Sequence, residues 1–539
     1  MFIKTSIRKI KGKEYKTRYL TEGYRDKKTG VVKHRHILSL SKLPEKQILA
    51  LQASLNNNTK IEKVKLEDLE LIACKEYGSI AVFEKLFDKV FGKIIPKEYE
   101  KEIKAIVINK IFDPKSKNGL NNWLKQVDLN YQISNKNKLY ECLDELEEQQ
   151  IAIEKRLFDY RKIKKADLFL YDVTSTYFEG KGAEELCKYG YSRDHRNDRL
   201  QINIGLVTDD SGVPLCVEIF EGNITDKQTL QGKINQLKDR FNIQKITFVF
   251  DRGMKTKMNL NYLQEQEFDF ITCLSHSELK KRAEENEIIQ RSLFDKQNLA
   301  EFIIDEKYID EKGIEKTRQK KLILCFNPSK AVKDQKTRLD LIQSTEKKLL
   351  EIQNFKKKYS DLELQNKVSK KINKFNCEKY IQYEIKNNKL SFERNGEKIN
   401  QAEKYDGFYM IETSCLEIEK EQAQMKYKSL QIVERAFDSI KNHIQIRPVF
   451  HYKASRIKGH IFTCFMAYYL LHFFREKTKE LLKEHTLDDL LTELKCIQKS
   501  YFKIGNFNFA KITKLNDIQK EIFSLFYINY SCCAQSADV

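Results

Sequence analysis

Two short runs constrain this chain more than anything else in it. Leu168 to Tyr171 in "ADLFLYDVTSTYF" and Ile246 to Phe250 in "KITFVFDRG" are unbroken apolar stretches, and each is followed by an aspartate, Asp172 and Asp251. Such runs read as strands covered on both faces, which requires a sheet with helices on each side. Ligand-binding side chains on sheets of this kind collect where strands end. One acid at such a position commonly turns the chain or caps the next helix. Two of them, each closing a fully apolar strand, point to a site.

The surrounding pattern gives the architecture. Residues 1–60 form a basic, β-rich module in which Gly30 and its charged neighbours mark a turn between two strands. Residues 61–165 change to helical spacing, broken at "FDPKSKNG", with the sole tryptophan, Trp123, as a core anchor. From 166 to 274 short apolar runs alternate with helical stretches, first as a meander turning at Asp209 to Gly212 and then with crossover helices, which defines a mixed α/β sheet. Residues 275–404 interrupt the scheme as an insertion with its own small core, drawing on Leu339, Ile342, Leu349 and Ile352. The main pattern resumes over 405–480, with one long helix expected from about Glu421 to His443 and a buried helix from about Ser455; a C-terminal helical region and tail fill 481–539.

Charge narrows the partner. The formal balance is +20, and residues 1–60 alone carry 15 basic and 4 acidic side chains. A concentrated positive segment suits a polyanion, because neutralising phosphates releases condensed counterions. The twelve cysteines contain no Cys-x-x-Cys pair and read as small hydrophobes in a reducing cytosol. The N-terminal "MFIKTSIRKI" lacks the apolar core of a signal peptide, and the run 461–474 is too short to span a bilayer, so a cytoplasmic protein without a membrane partner is expected.

Two carboxylates in one place repel unless a cation lies between them, so the pair predicts a divalent metal. Hard oxygen ligands without a His or Cys cluster favour Mg²⁺ or Mn²⁺ over zinc. Phosphodiester chemistry uses two such ions and calls for a third acid. In "YKSLQIVERAFDSIK", Tyr427, Glu434 and Lys441 are seven positions apart and share one face of a continuous helix. An amphipathic helix with a glutamate on its polar side gives the same pattern, so the residues alone leave both readings open. Basic side chains flank these elements: Arg193 and Arg196 in "YSRDHRNDR", and Arg447, Arg456 and Lys458 in "RPVFHYKASRIKGH", all candidates for phosphate contacts. In "EGNITDKQTL", Thr225 or Asp226 reads as a helix N-cap.

Four blocks in order, "LYDVTSTYFEG", "GLVTDDSGVPLCVEIFEGNITD", "FVFDRGM" and "YKSLQIVERAFDSIK", resemble the DDE transposases of bacterial insertion sequences, in the branch with a Tyr-x2-Arg-x3-Glu-x6-Lys signature. The resemblance implies a ribonuclease-H-like catalytic domain in which Asp172, Asp251 and Glu434 hold two Mg²⁺ or Mn²⁺ ions. It also implies that Tyr427 and Lys441 contact DNA beside the scissile bond. Leu430 stands at the signature's arginine position, with Arg447 or Arg456 as replacements. The expected function is DNA transposition: binding the element's ends, cutting phosphodiester bonds and joining 3′-OH ends to target DNA, with a homodimer assembled on double-stranded DNA at the bacterial nucleoid. A catalytically silent transposase-derived DNA-binding protein, or a nuclease of the same fold, are the alternatives.

Overall fold

The computed structural model describes residues 1–10, 13–26, 30–56, 69–133, 135–160, 168–229, 237, 240–241, 246–285, 298–309, 314–354, 359–504, 507–530 and 535–536. The chain divides into two compact units, one of residues 1–74, 500–511 and 531–539 and the other of 75–499 and 512–530.

In the first unit, β1 (Phe2–Ile10), β2 (Lys13–Arg25) and β3 (Val32–Ser39) form an antiparallel sheet in that order. This is one strand more than the hairpin read from the sequence. β3 is exposed along its whole length, with Val32, Ile37 and Leu38 open beside Lys33 and Arg35. Its anchor to β2 is polar: Thr21, fully buried, lies 3.0 Å from His36 Nδ1, and the His36 ring stacks on Tyr19. A helix, Glu45–Asn56, and strand β4 (Glu70–Glu76) follow.

The second unit is built on an eight-stranded mixed sheet. Its strands are β5 (Leu168–Tyr177), β6 (Gln201–Thr208), β7 (Pro214–Glu221), β8 (Thr247–Phe250), β9 (Asp269–Cys273), β10 (Leu299–Ile309), β11 (Glu315–Phe326) and β14 (Phe408–Thr413). They lie in the order β10-β11-β14-β9-β8-β5-β6-β7. β5, β8 and β9 run parallel and the remaining pairs antiparallel, the ribonuclease-H-like arrangement expected, with insertions. Asp209 fixes the β6–β7 turn by accepting from Ser211 N and Val213 N, while Gly212 takes a φ of +86° that other residues resist.

Alternation along the strands supplies two cores. Leu168 and Leu170 of β5 and Val249 of β8 face one of them, together with the helices Leu430–Asp438, Ala454–Lys477, Lys136–Tyr160 and Glu100–Phe112. Phe169, Tyr171 and Val173, with Phe248 and Phe250, face the other, which Leu260 and Leu263 of the helix Lys257–Glu265 help to cover. Trp123 is buried in the first core. At Gly459 the helix Ala454–Lys477 meets the helix Lys136–Tyr160 so closely that a Cβ would lie 2.1 Å from the Leu143 carbonyl oxygen.

Residues 275–404 do two things. β10 and β11 extend the main sheet, whereas the helices Pro328–Gln353 and Asp361–Lys374 pack with the hairpin of β12 (Ile381–Lys386) and β13 (Lys389–Arg394) around Ile342, Leu349, Val368 and Ile372. β15 (Gln498–Ile504), β16 (Phe507–Ile512) and β17 (Gln535–Ser536) make a further sheet in the order β17-β16-β15-β4. No described helix is long and apolar enough to cross a membrane, and the ten described cysteines are free.

A buried ion network ties β11 to β14. Lys320, 1% exposed, is 2.6 Å from both Glu412 and Glu306, and Glu412 also holds Lys255 at 2.8 Å. Removing Glu412 takes one of two carboxylates from the buried Lys320 and leaves Glu306 to hold it, while Lys255 keeps Glu278. Glu412→Ala is therefore expected to cost about 1–3 kcal/mol of stability, read as a shift in the denaturant midpoint, less than the loss of a lone buried pair.

Candidate active site

The sequence places Asp172 where its strand ends, but β5 continues five residues further, to Tyr177. What ends at Asp172 is the parallel pairing. β8 matches β5 from Leu168↔Thr247 to Tyr171↔Phe250, so Asp172 and Asp251 occupy the next equivalent positions on neighbouring strands, which are spaced about 4.8 Å apart. Parity does the rest. Asp172 shares a face with Leu170, and Asp251, still extended at φ −70° and ψ 155°, shares one with Val249. Both carboxylates thus point to the face that the helix Leu430–Asp438 covers.

That helix is not the continuous one expected. It is separated at Ser429 from the helix Lys420–Lys428 and widens into a π-turn over Ser439–His443. Ser429 Oγ bonds back to the Met425 carbonyl, a contact that bends helices. Leu430, Val433, Ala436 and Phe437 dock on the sheet, which leaves Glu434 on the exposed side. Glu434 and Lys441 still line one cavity despite the π-turn; Tyr427, beyond the break, does not.

The cavity has a volume of about 380 Å³ and is lined by Asp172, Asp251 and Glu434 together with Asp226, Arg193 and Lys441. Burial, then the charges of Asp251 and Glu434, push the Asp172 carboxyl up to about 6, against the Val173 N–H (2.8 Å) and Arg193, which favour its ionised form. The donor set consists of carboxylate oxygens, with no cysteine or histidine among the described residues of the lining, and suits a hard divalent cation. Among the described residues, however, no three His, Cys, Asp or Glu side chains stand close enough to hold one ion. Like charges gathered in one cavity spread apart.

Of the two residues that the sequence offers as a helix cap, Thr225 and Asp226, Thr225 takes the cap position and Asp226 is a further acid of this cavity. Thr225 occupies the cap position, where Gln228 reaches back to the Thr225 N–H at 3.1 Å, and this leaves the Asp226 side chain free to turn inward. It pairs with Arg193 at 2.5 Å. A Cβ built on Gly253 would lie 3.7 Å from both Asp226 Oδ2 and Asp251 Oδ2, so the two carboxylates flank that glycine. The signal was an acid directly after a capping threonine, where a second cap is redundant.

The basic candidates are held by acids. Lys441 Nζ and Arg447 Nη1 share Asp194, at 3.2 and 3.1 Å. Arg196 forms a bidentate pair with Asp198, and Arg196 and Arg447 each lie 5.0 Å from the Tyr177 ring. Arg456 pairs with Asp144 and Lys458 with Glu147, away from the acidic cavity. Leu430 is buried in the core, and of the two arginines considered as replacements only Arg447 stands beside Lys441. Burial, then the Cys273 thiol and the Asp251 charge, raises the Tyr427 hydroxyl above its usual range.

Residues 163–470, more than half of the chain, match the model of the transposase DDE domain. The chain therefore belongs to the DDE transposases, a family defined by DNA transposition. Residues 3–65 match the IS1634 family transposase N-terminal domain, so the basic three-stranded sheet falls within that branch's N-terminal module. A search of curated proteins gives no match.

The raised Asp172 carboxyl has a consequence for stability. Its folded value, about 6, lies above the ordinary carboxylate value of about 4, so the ionised form costs stability above pH 6 and the cost vanishes as pH falls through 6 towards 4. In chelator, Asp172→Asn is expected to raise the thermal midpoint at pH 8, by up to about 2 kcal/mol in stability, and to leave it nearly unchanged at pH 4.5. Differential scanning calorimetry at the two pH values checks this.

Proposed function

We propose that the protein is the transposase of an insertion sequence: it binds the element's ends, cuts phosphodiester bonds there and joins the freed 3′-OH to target DNA. The observation that carries this reading is the register of β5 with β8, which sets Asp172 beside Asp251 on the face where Glu434 lies. In this reading Asp172, Asp251 and Glu434 hold two Mg²⁺ or Mn²⁺ ions. When bound, the ions supply a lowered pKa for the attacking oxygen and charge stabilisation for the leaving one.

The chain's own side chains orient the DNA strand. Lys441 and Arg447 exchange Asp194 for backbone phosphates next to the scissile bond, and Arg447 takes the part of the arginine that Leu430 replaces. Arg193 does the same at the opposite wall by leaving Asp226. Tyr427 lies outside this lining, within reach of the Asp251 charge. Arg196, Arg456 and Lys458 extend the basic track, and the basic N-terminal module adds contacts that need no base readout. Joint cutting of two ends calls for a homodimer on DNA, at the bacterial nucleoid.

Full-length protein given Mg²⁺ and DNA carrying its own terminal repeats is expected to cleave at the repeat boundary and, with precut ends, to transfer strands. Asp172→Asn, Asp251→Asn and Glu434→Gln should each lower cleavage by at least about a thousandfold while end binding, read by mobility shift, stays within about twofold. Binding without cleavage in either Mg²⁺ or Mn²⁺ would favour the silent DNA-binding alternative; cleavage without strand transfer would favour the nuclease.

A further inference from the structure

A second cavity in the same unit, of about 320 Å³, has the opposite character. It opens between the loop Pro114–Asn118, the start of the helix Lys136–Tyr160 and the segment Gln445–His451, and among the described residues no Asp or Glu lines it. Four cations do: Lys110, Lys115, Lys117 and Arg447. Lys110 is 5% exposed, and among the described residues its ammonium bonds only the Gln445 carbonyl, at 3.1 Å. Lys117 is 7% exposed and makes no hydrogen bond or ion pair with any described residue. His460, also buried, uses Nε2 on the Ile446 carbonyl, while its Nδ1 is buried without a partner among the described residues.

An ammonium group buried beside a second one, with no acid facing it, is costly unless a ligand supplies the missing charge. The cost is visible in the neighbours. Burial and then Lys110 hold the Lys117 ammonium down to about 8, and burial and then Lys117 hold His451 down to about 4. The cavity lies at the lower end of ligand-sized pockets and is larger than a single water needs. It is also linked to the acidic cavity: Arg447 lines this one, Lys441 lines the other, and Asp194 bridges the two.

We propose that this cavity is a phosphate-binding site in which Lys117, Lys110 and Arg447 hold a backbone phosphate of the DNA strand whose scissile bond lies at Asp172, Asp251 and Glu434. Arg447 then swings from Asp194 to the bound phosphate. That the phosphate belongs to DNA rests on the function proposed above; the binding of a phosphate oxyanion does not.

The test uses the full chain. At constant ionic strength, inorganic phosphate is expected to raise the thermal midpoint of the wild type in a saturable way, as any ligand of the native state does. Lys117→Met should abolish that rise and, because it removes an unpaired buried charge, should raise the midpoint in phosphate-free buffer; a purely structural lysine would lower it. Lys117→Gln, a smaller change in polarity, should also lose the phosphate response. Affinity for duplex DNA carrying the terminal repeats, read by anisotropy, should fall about tenfold in Lys117→Met. Asp172→Asn should keep both the phosphate response and the DNA affinity. A wild-type midpoint indifferent to phosphate, or a Lys117→Met midpoint that responds as the wild type does, overturns the site. Loss of the phosphate response with DNA affinity intact overturns its assignment to DNA and leaves a small phosphate compound as the ligand. Failure of the protein to cut DNA, with the phosphate response present and lost in Lys117→Met, counts against the proposed function and not against the site.

Discussion

The arrangement of the acidic cavity depends on one parallel strand pairing. β8 contributes only four residues to the sheet, and its last hydrogen-bonded partner on β5 is Tyr171. Were the pairing shifted by one residue, Asp251 would move to the opposite face, among Phe248, Phe250 and the second core, and the carboxylates would part. The two cores prevent that slip. Each face of β5 and β8 is filled by side chains that fit only that face, so burial fixes the register and the register fixes the acids.

Charge is arranged in the same economical way. Acidic and basic cavities lie side by side, and Asp194 bridges a cation from each. Five acids line one cavity and four cations the other, so the field in the first favours a cation and that in the second an oxyanion. Most of the basic side chains around the site have an acidic partner in the protein alone, which spares them the cost of standing unpaired before DNA arrives; among the described residues, Lys110 and Lys117 are exceptions.

Much of this was legible in the sequence, for identifiable reasons. Unbroken apolar runs at β5 and β8 specified a doubly covered sheet, and the acids after them marked the site, because both signals are local. Asp172 was misplaced at a strand end because strand length is local whereas the end of a pairing belongs to the neighbour, β8. The break at Ser429 and the π-turn at Ser439–His443 escaped because no proline or glycine announces them. Asp226 was hidden by its own plausibility as a cap. The basic cavity was beyond reach: its lysines come from one loop and helix, its arginine and histidines from segments over 300 residues away, and only the packed helices bring them together.

The close crossing at Gly459 carries one more implication. With no side chain there, the backbones of the helices Ala454–Lys477 and Lys136–Tyr160 touch, and Ser455, Arg456 and Lys458 lock onto Asp144 and Glu147 along the same seam. The segment from Lys136 to Tyr160 is thereby a strut bolted to the sheet and not an arm on a tether. Whatever surface that strut presents is carried at a constant offset from the carboxylates.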